Sequence, residues 1–144
     1  METVQDEFKL LMKERIAPKL RELGFKGSGQ NFNLPSESHW ALIGFQKSMF
    51  SDSQELKFTI NIFVVGKNEW DTARSERSYF PAKPSPTTKW GIGWERRIGF
   101  LLPEKCDHWW SMKVNSNFET ISGQVVEYIA KYALPAMREQ MQSA

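Results

Sequence analysis

Little in this chain belongs to the usual vocabulary of function. It has one cysteine, Cys106, which excludes an intrachain disulfide and suits a protein kept reduced in the cytosol. Neither sign of charge dominates: 19 Lys and Arg stand against 17 Asp and Glu, a formal +2. That bias is too small to imply nucleic acid or an anionic membrane as partner. No stretch approaches the roughly 18 apolar residues of a membrane-spanning helix. Met1 to Asp6 lacks the basic start of a secretory signal, so a cytoplasmic location is expected. CxxC and HExxH spacings, a Walker ending, RNP and KH patterns and internal repeats are all missing. Neither a metal nor a cofactor is therefore expected.

Apolar mass is present in quantity. With 144 residues, 40% hydrophobic and 13% aromatic, the chain can build one sizeable core, and one domain over 1–144 is expected. Val4, Phe8, Leu11, Met12, Ile16, Leu20 and Leu23 recur at spacings of three and four, one face of an amphipathic helix. Thr3 with Asp6 forms a capping-box-like start, Gly24 a left-handed stop, and Pro18 predicts a kink. Phe32 and Leu34 suggest a short strand, and Trp40 to Lys47 is apolar on both alternating faces, as in a covered central strand. After the turn at Ser51-Asp52-Ser53, Phe58, Ile60, Ile62 and Val64 alternate with Lys57, Thr59, Asn61 and Phe63. Residues 66–89 read as a long loop containing Pro81, Pro84 and Pro86. Period-two alternation resumes from Trp90 to Phe100 and again at Trp110, Met112 and Val114. Ser116 and Glu119 then form a capping box for a C-terminal helix that Pro135 ends or kinks. The expected fold is α+β: a mostly antiparallel sheet of about five strands packed by N-terminal and C-terminal helices.

The candidate reactive groups dissolve on inspection. Cys106-Asp107-His108 holds nucleophile, acid and base types, but triad partners converge from separate segments, and adjacency is the wrong geometry. His39, Cys106 and His108 lack zinc-ligand spacing. Gly24, Gly27 and Gly29 could form an anion nest around Lys26 and Ser28, yet they follow a helix and read better as a cap plus a turn. Gly91 and Gly93 read as close packing or a bulge beside Trp90 and Trp94. Glu69, Asp71, Glu95, Glu104 and Asp107 are scattered, and most should be solvated.

The pairing of Arg96 and Arg97 with Trp109 and Trp110 is the best lead. Alternation sends each neighbouring pair to opposite faces, so at least one Trp faces away from the core. An Arg over a Trp ring is a cation–π contact of about 0.5–2 kcal/mol that serves packing or recognition equally well. Trp and Arg are also the side chains enriched at protein-binding hot spots. Base stacking is possible for the same pair, but the balanced charge speaks against nucleic acid.

In order along the chain come Leu23-Gly24-Phe25-Lys26, Phe45-Gln46-Lys47-Ser48, Phe58-Thr59-Ile60-Asn61, Arg97-Ile98-Gly99 with Leu101 or Leu102, Asp107-His108-Trp109-Trp110, and a last helix reaching Leu134-Pro135. This series resembles the bacterial domain-of-unknown-function family number 4304, over nearly the whole chain. The resemblance implies a single-domain cytosolic bacterial α+β protein and brings no activity. It directs attention to Gln46, Lys47, Ser48, Asn61, Arg97, Trp109 and Trp110. The expected role is a non-enzymatic binding protein acting on a protein partner through an aromatic and basic surface, an immunity or antitoxin-like protein being one form of it. The alternative is an enzyme or small-molecule binder with a pocket under loop 66–89, in which Arg96 or Arg97 holds an anionic ligand.

Overall fold

The amphipathic start of the chain folds as a helix in two pieces joined by a wider turn. In the computed structural model, which describes residues 3–142, helix α1 (Val4–Leu11) is closed by the expected box. The Thr3 hydroxyl accepts from the Asp6 N–H while the Asp6 carboxylate accepts from the Thr3 N–H. Met12–Ile16 is then a π turn in which the Ala17 N–H donates to the Met12 carbonyl, and α2 (Ala17–Glu22) resumes with Pro18 in its first turn. Proline brings no N–H and crowds the carbonyl four residues back, so widening the preceding turn relieves the conflict that predicted a kink. Gly24, at φ +105°, ends the helix. Its N–H reaches the Arg21 carbonyl while the Phe25 N–H reaches that of Leu20, the paired bonds of a Schellman stop.

Six strands follow: β1 (Lys26–Ser28), β2 (Asn31–Asn33), β3 (His39–Lys47), β4 (Glu55–Gly66), β5 (Trp94–Arg97) and β6 (Trp110–Lys113). All pair antiparallel in the order β1-β2-β3-β4-β5, and β6 also pairs with β4, beside its first half where β5 flanks the second. The extra strand relative to expectation is β1, which forms a hairpin with β2 about Gly29 at φ +64°.

The helix-covered face carries Ile43, Phe45, Phe58, Ile60, Ile62 and Val64 against Phe8, Leu11, Ile16 and Leu20 from the N-terminal helices. From the other end of the chain come α4 (Phe118–Tyr128), a second π turn at Ile129–Ala133, and α5 (Leu134–Gln142) with Pro135 as its second residue. The N-cap of α4 is Asn117, whose side chain accepts from the Thr120 N–H, and not Ser116. Ser116 instead accepts from the Lys113 N–H, closing the turn out of β6.

The opposite face has its own small core of Leu42, Phe63, Val65, Trp70, Ala73 and Phe80. Here expectation and structure part. Residues 67–76 are not loop but helix α3 (Lys67–Glu76), which buries only Trp70 and Ala73, too sparse a pattern for periodicity to reveal. Trp70 is fully buried, stacks on Phe80 at 4.7 Å and meets Trp90 edge-on at 5.0 Å. The Pro-containing segment beyond α3 wraps this cluster, with the Trp70 and Trp90 indole N–H groups donating to the carbonyls of Pro81 and Ser85. The alternation from Trp90 to Phe100 is likewise shorter in fact: only Trp94–Arg97 pairs, and Ile98–Leu101 is a 3-10 turn. Gly91 and Gly93, at φ +81° and +78°, break the run. A side chain at Gly93 would meet the Val65 Cβ at 2.9 Å, so close packing is the reason for glycine there.

Replacing Trp70 by Ala should cost about 3–5 kcal/mol of stability. Urea unfolding measures this directly; a loss below about 1 kcal/mol would mean that α3 is not docked on the sheet in solution.

Candidate binding site on the second face of the sheet

The register of the central strands decides which of the singled-out residues meet. Gly44 opposes Asn61 and Gln46 opposes Thr59 between β3 and β4, and Asn61 opposes Arg97 between β4 and β5. These side chains share the face of Phe63 and Val65, but lie beyond the reach of α3, where the sheet carries polar groups instead of a core. They form one connected chain. The Asn61 Nδ2 donates to Gln46 Oε1 at 2.6 Å, and the Arg97 Nε reaches Asn61 Oδ1 at a long 3.4 Å. The Arg97 Nη1 and the Trp109 Nε1 both donate to Asp107 Oδ2 at 2.9 Å. The guanidinium also lies over the Trp109 ring, 5.2 Å from its centroid.

Two contacts hold the 106–109 segment where this is possible. Thr59, fully buried, donates its hydroxyl to the His108 carbonyl at 2.6 Å. Gly99 lets the same segment lie directly on the backbone, since a Cβ there would collide with the Cys106 carbonyl and meet the His108 N at 2.6 Å. Arg97 and Asp107 are about one-third and two-fifths exposed, at 33% and 39%. At such exposure the ion pair adds only about 0.2–1 kcal/mol and serves to set geometry. Its effect is to fix both the plane and the edge of Trp109, a half-buried ring that would otherwise choose among rotamers.

Beside this array is a shallow recess of about 370 Å³. Gln46, Asn61 and Arg97 form part of its lining, and Thr87 and Lys89 of the Pro-containing segment complete one side. Pro86 sits on Gly44, where a Cβ would come within 2.7 Å of its ring. The Gln46 amide nitrogen and the Lys89 ammonium have no hydrogen-bond partner among the described residues. Glu95 brings one carboxylate and Arg96 a further cation to the same recess.

Two predicted site residues are elsewhere, and Arg96 borders the recess without joining the array. Trp110 points into the helix-covered core, stacks on Phe58 at 5.3 Å and donates its indole N–H to Gln124. Lys47, opposite Phe58, is on that same face and donates to Gln5 Oε1 at 3.3 Å. Arg96 is exposed on the edge strand, over Trp94, with Nη1 donating to the Glu95 carbonyl. Conversely, Asp107 organises the array although it read as one scattered carboxylate among several; its two-residue spacing from Trp109 was the available signal. Cys106 is exposed and His108 turns the other way, against Trp110 at 4.5 Å and Tyr128 at 5.7 Å. No nucleophile and base converge here, and no group of three or more metal-ligating side chains exists among the described residues.

Sequence reading also missed the tip of the β3–β4 hairpin. Met49 and Phe50 are each 87% exposed, yet their loop is tightly built. Asp52 Oδ1 accepts from the Gln54 and Glu55 N–H groups, which hold its carboxyl below the usual range. Ser48 Oγ accepts from the Phe50 N–H, and the Val4 N–H ties the Ser53 carbonyl to α1.

Asp107→Ala should release the Trp109 indole N–H, moving its resonance and speeding its exchange with solvent, for a stability loss under about 1 kcal/mol. An unchanged indole signal would show that the array does not persist in solution. His108 generates a second expectation. Burial lowers its pKa below the ordinary 6.5, against the opposing pull of Glu104 and Asp107, and its Nε2 is buried without a partner. The unfolded chain therefore binds a proton that the folded one refuses, so stability present above pH 6.5 is lost as pH falls through that value toward the depressed one. Thermal melts from pH 7 to 5 should slope less for His108→Gln than for the natural chain.

No curated protein and no solved structure matches the chain. Among the described residues, no helix is long and apolar enough to cross a membrane. The family described as Domain of unknown function (DUF4304) matches residues 16–139. That span takes in the sheet, both of its faces and every member of the Gln46, Asn61, Arg97, Asp107 and Trp109 array, and the chain belongs to the DUF4304 family.

Proposed function

We propose that this protein is a non-enzymatic binding protein that recognises a protein partner through the polar half of the second sheet face. The observation that carries this reading is the locking of Trp109 by Arg97 and Asp107. A Trp presented in one orientation beside a cation loses little side-chain freedom on binding, the economy that makes Trp and Arg frequent interface anchors. The Met49–Phe50 tip, which continues the strand carrying Gln46, supplies apolar area near the same end of the sheet. In its specific form the proposal is a bacterial cytoplasmic protein of immunity or antitoxin type, with a toxin as partner; this form rests on the small α+β format alone.

The recess favours a second reading, recognition of a small anion such as a phosphate or carboxylate by the unpartnered Gln46 amide and Lys89 together with Arg97. Glu95 in the same lining weighs against it, since one carboxylate offsets one of the cations.

Crosslinking and mass spectrometry in native lysate decide between them when the natural chain is run beside Trp109→Ala and Phe50→Ser. One stoichiometric partner, weakened about thirtyfold or more by Trp109→Ala, is the expected result. A partner retained by Trp109→Ala and lost by Phe50→Ser would move the interface to the hairpin tip. No partner, with phosphate raising the melting temperature of the natural chain but not of Lys89→Ala, would favour the anion site.

A further inference from the structure

The Pro-containing segment borders a second recess, of about 340 Å³, on the β2 side of Pro86. One wall is β2, where Asn31 and Asn33 stand opposite Gly44 and Leu42 of β3. The stretch from Lys83 to Pro86 also lines it, and Trp40, two positions from Leu42 on the same face, bounds one end. Phe32, Leu42, Pro84 and Pro86 are buried. The half-buried Trp40 is therefore the apolar side chain that the recess presents, beside the polar Asn31, Asn33, Lys83 and Ser85.

Most of these polar groups are unspent. Neither Asn side chain makes a hydrogen bond among the described residues, and the Trp40 indole N–H has no acceptor there. The indoles of Trp70, Trp90, Trp109 and Trp110 each have one. Asn is disfavoured in strands, and β2 lies inside the sheet between β1 and β3. Two of its three residues are nevertheless Asn, both lining this recess without a side-chain bond to the protein, a local cost that the fold does not recover and that marks functional positions. The charge nearby has one sign. Lys83, without a hydrogen bond or ion pair among the described residues, lies 5.7 Å from the Trp40 ring centroid, near the outer limit of a cation–π contact. The Lys67 ammonium is 4.6 Å from the same ring and donates to the Ser36 carbonyl. No carboxylate lines the recess among the described residues. Two carboxamides on one face of a strand, about 6–7 Å apart, each donate and accept. Hydroxyl groups, which also do both, answer them, and a ring of neighbouring hydroxyls offers several while its C–H groups suit an indole. A free inorganic anion would engage Lys83 and leave the amides idle. The volume, at the lower end of the roughly 300–1,000 Å³ of small-ligand sites, suits a single ring. We propose that this recess binds a sugar acid of the hexuronate class, with its hydroxyls on Asn31 and Asn33, its carboxylate on Lys83 and its ring against Trp40.

The test is a titration of the full chain with glucuronate, read from the side-chain amide signals of Asn31 and Asn33 and the indole N–H of Trp40, with glucose, acetate and N-acetylglutamate alongside. Glucuronate should move all three signals and bind about fivefold tighter than glucose, while acetate leaves them in place. Lys83→Glu, an exposed change, should remove the preference for glucuronate and leave glucose unaffected. Asn33→Ala should weaken both sugars about fivefold. Equal shifts from acetate or N-acetylglutamate, shifts spread over other surfaces, the absence of binding, or unchanged affinity in both Asn31→Ala and Asn33→Ala would each overturn the proposal. Because Asn31, Asn33, Trp40 and Lys83 are not members of the Arg97 and Trp109 array, either outcome leaves the partner experiment unaffected.

Discussion

Everything in this fold is registered on β4. It pairs with β3 along one side and with β5 and β6 along the other, so three of the other five strands are placed by one twelve-residue segment. Its alternate side chains serve different neighbours: Phe58, Ile60, Ile62 and Val64 anchor the helices, while Thr59, Asn61, Phe63 and Val65 build the second face. A slip of one residue would exchange the two sets and put Asn61 and Thr59 under the helices. The cost of burying them unpaired, on the order of 1–3 kcal/mol for each group, makes the register self-enforcing.

The same alternation divides the second face into two territories. At the Val65 end, α3 and the Pro-containing segment exclude water from an aromatic cluster; at the Thr59 end, the face carries donors and acceptors and remains open. Thr59 is the hinge between the core and this open region. It is as buried as any core residue, yet its hydroxyl fixes the segment that delivers Asp107 and Trp109. Strand, turn and loop thus cooperate to hold one indole in place, and the ion pair contributes direction more than energy.

How much of this could be read in advance depends on the range of the interaction. The N-terminal and C-terminal helices, the left-handed stop at Gly24, the capping box at Thr3, the covered strand β3 and the alternating strand β4 follow from local spacing, and they were legible. Helix α3 was not, because two buried residues in ten make no periodic stripe; only the tertiary partners Phe63 and Phe80 turn Trp70 into a core residue. The site divided along the same line. Arg97, Asn61, Gln46 and Trp109 could be nominated from the ordered family landmarks, but alternation, which sets Trp110 opposite Trp109 and Lys47 opposite Gln46, could not say which member of each pair faces the helices. The bond from Trp109 to Asp107 spans two residues and was local enough to see, yet its meaning depends on Arg97, ten positions earlier.

The two π turns have a consequence for how this chain tolerates insertion and deletion. Each adds one residue to a helix between segments that both dock on the same face, at Met12–Ile16 and at Ile129–Ala133. One residue is about 100° of helical rotation. Removing a single residue within either turn would restore an ordinary helix with its two halves still in phase, whereas removing one elsewhere in these helices would swing everything on the far side a quarter-turn or more off the sheet. Single-residue gaps among relatives should therefore fall at these two turns, and longer ones in the Pro-containing segment, where the backbone follows no repeat that an extra residue could throw out of phase.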